Sequence, residues 1–355
     1  MKKNVALIGA TGMVGQRFLL LLENHPWFEV KVLAASKNSS GKIYKDAVGS
    51  RWRMNKAMPD KYQGLIVLDA TADYEKIVKA VDFIFCAVDM PKDDTKALEE
   101  LYAKYEIPVV SNNSANRMVK DVPMIIPEVN FNHLDVILAQ RKRLGTKKGF
   151  IAAKSNCSIQ SYVPLVNPFL DYGIAEMTIT TLQAISGAGK DFNSWPEMID
   201  NVIPFIGGEE TKSETEPLKI WGKLNDSEIV NATNIPIHAT CIRVPVTDGH
   251  MASVKVRFKK KIDIKTIKDN WKNNKSLNLD LPSSPKQFIH YFEEENFPQT
   301  KLHRDLESGM SISCGRLRQI DSYTVSFVGL SHNTLRGAAG GAVLLAELLC
   351  AKNYI

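Results

Sequence analysis

The segment Lys154-Ser155-Asn156-Cys157-Ser158-Ile159-Gln160 sets a cysteine among polar neighbours, at a point where a helix is predicted to begin at Ser158. A helix N-terminus favours the thiolate, which is the form of cysteine that attacks carbon. Asn156 adds an amide donor that, with the Cys157 backbone N–H, would suit an oxyanion. On these residues alone, Cys157 is either a nucleophile that carries a covalent intermediate or a cysteine at a helix cap with no chemistry. The other four of the five cysteines, Cys86, Cys241, Cys314 and Cys350, sit in apolar runs and read as small buried hydrophobes. The odd total of five and the lack of any CxxC pair speak against a disulfide framework or a zinc site, and no metal is expected.

A second group of polar residues gathers in Arg243-Val244-Pro245-Val246-Thr247-Asp248-Gly249-His250. Asp248-Gly249 reads as a tight turn between two strands, which would leave the His250 ring exposed for acid–base work. The remaining histidines read as structural: His25, His133, His290 and His303 in polar or helical settings, His238 in a strand core, and His332 as a cap on the last helix. Arg243, flanked by apolar residues, must pair with an internal carboxylate or bind an anion, and a substrate carboxylate fits its fork. Glu209, Glu210 and Lys212 follow Gly207-Gly208 at a predicted helix start, where acids usually serve the dipole. Arg117, in Ser114-Ala115-Asn116-Arg117-Met118, reads locally as a surface arginine.

The apolar run VALIGA is predicted to be a buried strand, and it leads into Gly9-Ala10-Thr11-Gly12-Met13-Val14-Gly15-Gln16. A GxxGxxG turn between strand and helix permits a tight turn at Gly9, lets a pyrophosphate approach at Gly12, and lets helix and strand pack closely at Gly15. The end of the second strand, Ala34-Ala35-Ser36-Lys37-Asn38-Ser39-Ser40, has no acid for ribose hydroxyls. Ser36, Lys37 and Ser39 suit a 2′-phosphate instead, so NADP is expected over NAD. A nicotinamide cofactor beside a reactive cysteine suggests aldehyde oxidation through a thiohemiacetal and a thioester.

Strand and helix alternate up to about residue 156, predicting a doubly wound parallel sheet; from there longer, partly alternating strands predict a mixed or antiparallel sheet. The expected class is α/β, with a dinucleotide-binding domain at 1–156, a catalytic α+β domain at 157–333, and a C-terminal helix (334–355) packing back on the first. The polar, proline-containing stretch from 273 to 305 has no clear pattern. Across 355 residues, 44% apolar and 24% charged residues indicate a soluble globular chain with ample core. No apolar run spans a bilayer and no secretory leader is evident, so the cytoplasm is expected, without a membrane partner. The +6 charge is scattered apart from Lys259-Lys260-Lys261, a solvated strand end, so no nucleic-acid partner is expected.

Taken jointly, GATGMVGQ, SNCS, LQAISGAGK (182–190), IGGEETK (206–212), RVPVTDGH (243–250) and NTLRGAAGG (333–341) resemble, in order and over nearly the whole chain, the aspartate-semialdehyde dehydrogenase family, particularly its archaeal and fungal branch. That resemblance implies a glyceraldehyde-3-phosphate dehydrogenase-like fold, NADP-dependent interconversion of L-aspartyl-4-phosphate and L-aspartate 4-semialdehyde, and a homodimer or homotetramer. It also implies roles. Cys157 would be the nucleophile, His250 the acid–base group and Gln183 an orienting residue. Arg243 would take the substrate α-carboxylate, and Glu209 or Glu210 the α-amino group. Arg117 and Lys212 would hold the phosphoryl group or free phosphate, with Asn113 in the same pocket. Ser186, Gly187 and Asn333 would approach the nicotinamide. The alternatives are another acyl donor on the same scaffold, such as malonyl-CoA or N-acetylglutamyl phosphate, and a silent nucleotide sensor.

Overall fold

The computed structural model describes residues 2–274 and 280–355; of the patternless 273–305 stretch, 275–279 lie outside the described residues. Seven parallel strands form the first sheet: β1 (Lys3–Ile8), β2 (Phe28–Ala35), β3 (Val67–Asp69), β4 (Phe83–Cys86), β5 (Val109–Ser111), β6 (Met124–Ile125) and β7 (Ile151–Lys154). Their order is β3-β2-β1-β4-β5-β7-β6. Side chains alternate across a strand, so Val5 and Leu7 enter one apolar core while Ala6 and Ile8 enter another on the opposite face. Helix α1 (Met13–Leu22) covers the first face with Phe18, Leu19 and Leu22; α2 (Lys92–Lys104) covers the second with Leu98, Tyr102 and Ala103.

After β7 the chain builds β8 (Ile174–Gln183) and helix α3 (Glu209–Ile220). A short ribbon follows, β9 (Lys223–Asn225) with β10 (Glu228–Val230), and then β11 (Ile237–Arg243) and β12 (His250–Phe258). Helix α4 (Ile264–Asn273), β13 (Ile289–Tyr291), β14 (Ile312–Asp321) and β15 (Thr324–Ser331) complete the region. The second sheet is mixed, in the order β11-β8-β12-β15-β14-β13, and its core gathers around Trp271, Phe169 and Phe327. The last helix, α5 (Gly340–Ala351), is apolar on every side and is buried against the first sheet's core through Leu344, Leu345 and Leu348. Its one acid, Glu347, is fully buried and paired with His25 Nε2 at 2.8 Å.

Asp248-Gly249 does not close a hairpin. β8 lies between β11, its parallel neighbour, and β12, its antiparallel neighbour. The 244–249 connection therefore straddles the end of β8, where Ile185 N–H donates to Val246 O at 2.9 Å and Ser186 N–H to Thr247 O at 3.3 Å. This crossing brings the ends of three strands together and places Gln183, Arg243 and His250 side by side. His238 is exposed rather than core, because alternation along edge strand β11 turns it to the face opposite Ile237. His25, His133 and His303 are buried and hydrogen-bonded, and His332 Nδ1 accepts from the Thr334 and Leu335 N–H groups as the expected cap.

Candidate active site

Cys157 follows the end of β7, and its Sγ lies 3.5 Å from His250 Nε2. The predicted helix at Ser158 is a single four-residue 3-10 turn, Ser158–Ser161, too short to present a helix dipole to the sulfur. The expected thiolate-stabilising helix end is thus absent, and burial, then Glu209, push the thiol above its ordinary range; Lys154, Arg117 and Lys212 oppose them. His250, expected at an exposed turn, is fully buried at the start of β12. Burial and the neighbouring Arg243 push it down to about 3, so the ring is neutral. Its Nδ1 accepts the Ala184 N–H at 3.1 Å, which leaves the single ring proton on Nε2, facing the sulfur.

The first turn of α3 delivers the hub of the site. Glu209 accepts from Asn156 Nδ2 at 3.2 and 3.1 Å, Gln183 Nε2 at 3.3 Å and Lys212 Nζ at 2.8 Å. Burial alone would raise this carboxyl, but Lys212 and Asn156 hold it below the usual range. Glu210 faces elsewhere and accepts the Cys241 N–H at 3.3 Å, so the geometry separates two acids that sequence could not. The Asn156 amide, expected as an oxyanion donor, is committed to Glu209, and its Oδ1 accepts from Ser158 N–H and Oγ. Arg243 is buried and donates to Ala184 O at 2.7 Å. Gly187 packs onto this pair: a Cβ there would lie 2.9 Å from Arg243 Nη1 and 3.1 Å from His250 Nε2. Asn333 Nδ2 donates to Ser186 Oγ at 2.8 Å, and its Oδ1 accepts the Gly249 N–H at 2.8 Å, tying the 186 turn to the entrance of β12.

Arg117 is buried, not on the surface. It is paired with Glu216 at 2.9 Å and donates to Asn112 O at 3.1 Å, while its Nε is buried without a partner. Glu216 also accepts the Asn156 N–H at 2.6 Å, so one carboxylate couples the Arg117 loop to the nucleophile loop. Lys219 adds three bonds to the Arg117, Val119 and Val122 carbonyls. Asn113 is turned away into a buried cluster, where its amide donates to Glu99 at 3.0 Å and to Cys86 Sγ at 3.3 Å. Glu216 escaped the sequence reading. The signal was there: Glu209, Ser213 and Glu216 are polar at helical positions that all face inward.

A cleft of about 500 Å³ opens at the C-terminal ends of β1 to β4, where the strand order reverses and ligands bind in open α/β sheets. Gly9, Thr11, Gly12, Ser36 and Lys37 line it, joined by Arg51, which sequence did not single out. The roles expected of Gly9 and Gly15 hold. Gly9 has φ +90° and its Cβ would strike Ala87 O at 2.2 Å; a Cβ on Gly15 would meet Gly9 O at 2.4 Å. Met13, Val14, Gly15 and Ser39 do not line the cleft: Val14 packs on the core, and Ser39 is buried. Gln16 braces the rim, donating to Thr11 O at 3.1 Å and Arg51 O at 2.8 Å. Backbone approach at Gly12, a helix start and two cations fit a phosphorylated dinucleotide.

Models for the semialdehyde dehydrogenase NAD binding domain and dimerisation domain match residues 4–137 and 164–336. The chain is 41% identical over 355 residues to an aspartate-semialdehyde dehydrogenase of Archaeoglobus fulgidus, covering 100% of both chains. It is 40% identical to that of Saccharomyces cerevisiae, covering 100% of this chain and 99% of that one. The crystal structure of the Candida albicans aspartate semialdehyde dehydrogenase with NADP superposes with a TM-score of 0.89 at 37% identity, over 100% of both chains. The chain belongs to the aspartate-semialdehyde dehydrogenase family.

Proposed function

We propose that the chain catalyses the NADPH-dependent reductive dephosphorylation of L-aspartyl-4-phosphate to L-aspartate 4-semialdehyde, and its reverse. The observation that carries this reading is the placement of Cys157 Sγ 3.5 Å from His250 Nε2, ringed by Arg243, Glu209, Gln183 and Lys212. Arg243 holds the substrate α-carboxylate, and Glu209, rather than Glu210, holds the α-amino group. Arg117, through its open Nε, and Lys212 receive the phosphoryl group, with Asn113 near the same loop. When the phosphoryl group takes Lys212, Glu209 is released to the substrate amine.

The Cys157 thiolate attacks the acyl carbon, phosphate leaves, and a thioester remains on the sulfur. A nicotinamide held in the cleft would supply the hydride that reduces this thioester. Ser186, Gly187 and Asn333 would face the nicotinamide half, while Gly9, Thr11, Gly12, Ser36 and Lys37 would hold the phosphates, with Met13, Val14, Gly15 and Ser39 shaping the turns around them. His250 Nε2–H donates to the developing oxyanion, shares its proton through the tetrahedral intermediate and keeps it when the oxyanion collapses. Gln183, and Asn156 once released from Glu209, orient the reacting carbonyl. The thiohemiacetal then collapses to aldehyde and thiolate. The reading further assigns 1–156 with the 334–355 helix to cofactor binding, 157–333 to catalysis and dimerisation, and a homodimer or homotetramer to the assembly.

The test is to trap the intermediate. With L-aspartate 4-semialdehyde and NADP⁺ but no phosphate, an aspartyl adduct should accumulate on the Cys157 peptide, seen by mass spectrometry, and discharge when phosphate is added. An adduct-free Cys157 in turning-over enzyme, or turnover by Cys157→Ala, would refute the assignment.

A further inference from the structure

Lys154 closes β7 three residues before the nucleophile, and it is 2% exposed. Its Nζ donates to Ser155 O at 2.7 Å and to Gly337 O by a short bond. Among the described residues no carboxylate hydrogen-bonds it. A lone ammonium at this depth is costly and calls for a reason. Gly337 supplies one, because a Cβ there would sit 2.8 Å from Cys157 Cβ, so its backbone forms the wall against which the cysteine rests. Gly341 completes the cradle, its missing Cβ lying 3.1 Å from Lys154 Cε. The same wall is pinned from behind: Arg336 pairs with Glu128 and donates to Gln160 Oε1 at 3.1 Å, and Gln160 donates to Ser155 Oγ at 2.7 Å.

We propose that Lys154 is a positioning residue for the Cys157 chemistry: its ammonium, clamped between the Ser155 and Gly337 carbonyls, fixes the wall behind the cysteine and supplies positive charge that favours the thiolate. The inference rests on the reading of Cys157 as nucleophile. It fills a gap left by the fold, because the 3-10 turn at Ser158 provides no helix dipole for that purpose. The groups facing Lys154 are Cys157, Arg117, Glu216 and Arg336; those facing Cys157 are Glu209, Lys154, Arg117 and Lys212, with His250 at the sulfur. Of the cations, Arg117 is paired with Glu216, Lys212 with Glu209 and Arg336 with Glu128, so Lys154 is the one whose charge no carboxylate contact offsets. Burial pushes Lys154 down to about 7, and the sulfur pulls it back up, so ammonium and thiolate favour each other's formation.

The experiment is the pH dependence of Cys157 alkylation by iodoacetamide, followed by peptide mass spectrometry on the full chain. Lys154→Gln keeps a donor for the carbonyls and removes the charge. It should raise the alkylation midpoint by about one pH unit, cutting the reactive fraction at neutral pH about tenfold, and lower kcat more than it changes KM. Lys154→Arg, which keeps the charge, should hold the midpoint near wild type. A folded Lys154→Gln with an unmoved midpoint, or an Arg variant whose midpoint rises as far as that of Gln, overturns the proposal. If Lys154→Gln does not fold, ¹³Cε-lysine NMR of the wild-type protein decides: alkylating Cys157 should lower the Lys154 titration midpoint, and no change overturns the proposal. Turnover by Cys157→Ala would instead sink the nucleophile reading, whatever Lys154 does.

Discussion

Replacing Gly187 by alanine tests the site geometry without removing any polar group. A Cβ at this position would lie 2.9 Å from Arg243 Nη1, 3.0 Å from His250 Cε1 and 3.1 Å from His250 Nε2. These gaps are about half an ångström short of ordinary contact, and Arg243 and His250 are both buried with little room to retreat. Gly187 does not have positive φ, so alanine is tolerated by the backbone and the effect falls on the side chains. The imidazole would be displaced by a few tenths of an ångström relative to Cys157 Sγ, now 3.5 Å away. A misplacement of about 1 Å costs on the order of 10² in rate, so kcat/KM should fall about 10-fold to 100-fold. Overpacking should also destabilise the fold by about 1–3 kcal/mol. Steady-state kinetics with L-aspartate 4-semialdehyde, alongside thermal unfolding, checks both. A Gly187→Ala enzyme with kcat/KM within about threefold of wild type would refute the argument that Gly187 sets the His250–Arg243 spacing.

Three further outcomes follow from the same geometry. His250→Asn should lower kcat by about 10² to 10⁴, and a change under about threefold would remove His250 from the acid–base role. Because burial raises the Cys157 thiol and holds His250 neutral, kcat/KM should climb with pH through the neutral range without a histidine inflection near 6.5; a plateau already complete below about pH 7 would contradict the raised thiol. Arg336→Met should cost about 3–5 kcal/mol in chemical denaturation by stranding buried Glu128, and near-wild-type stability would show that the carboxylate finds another partner or a proton.

Much of this was legible in sequence because it rests on local rules. The VALIGA strand, the glycine turn and the apolar terminal helix each follow from periodicity and the special conformations of glycine; the first two stand where expected, and the helix starts later than expected, at Gly340, after a π turn over Leu335–Ala339. What eluded sequence depends on contacts between distant segments. Asp248-Gly249 reads as a hairpin turn, yet β8, encoded some 65 residues earlier, inserts between the two strands. Arg117 reads as a surface residue because its partner, Glu216, lies 99 positions away. The Ser158 turn has too few residues for a helix, since Tyr162 leaves helical geometry at φ −141°. Lys154 reads in sequence only as one polar neighbour of Cys157, and its cradle forms only when Gly337 arrives beside the cysteine.

The central claim is acyl-phosphate chemistry at Cys157 on an aspartate-derived aldehyde. Its most direct test is the rate of NADP⁺ reduction with L-aspartate 4-semialdehyde, measured with and without inorganic phosphate. Sustained turnover is expected only when phosphate is present, because phosphate must cleave the thioester. Folded protein that turns over equally well without phosphate, or that is inert here but oxidises NADPH with malonyl-CoA, would contradict it.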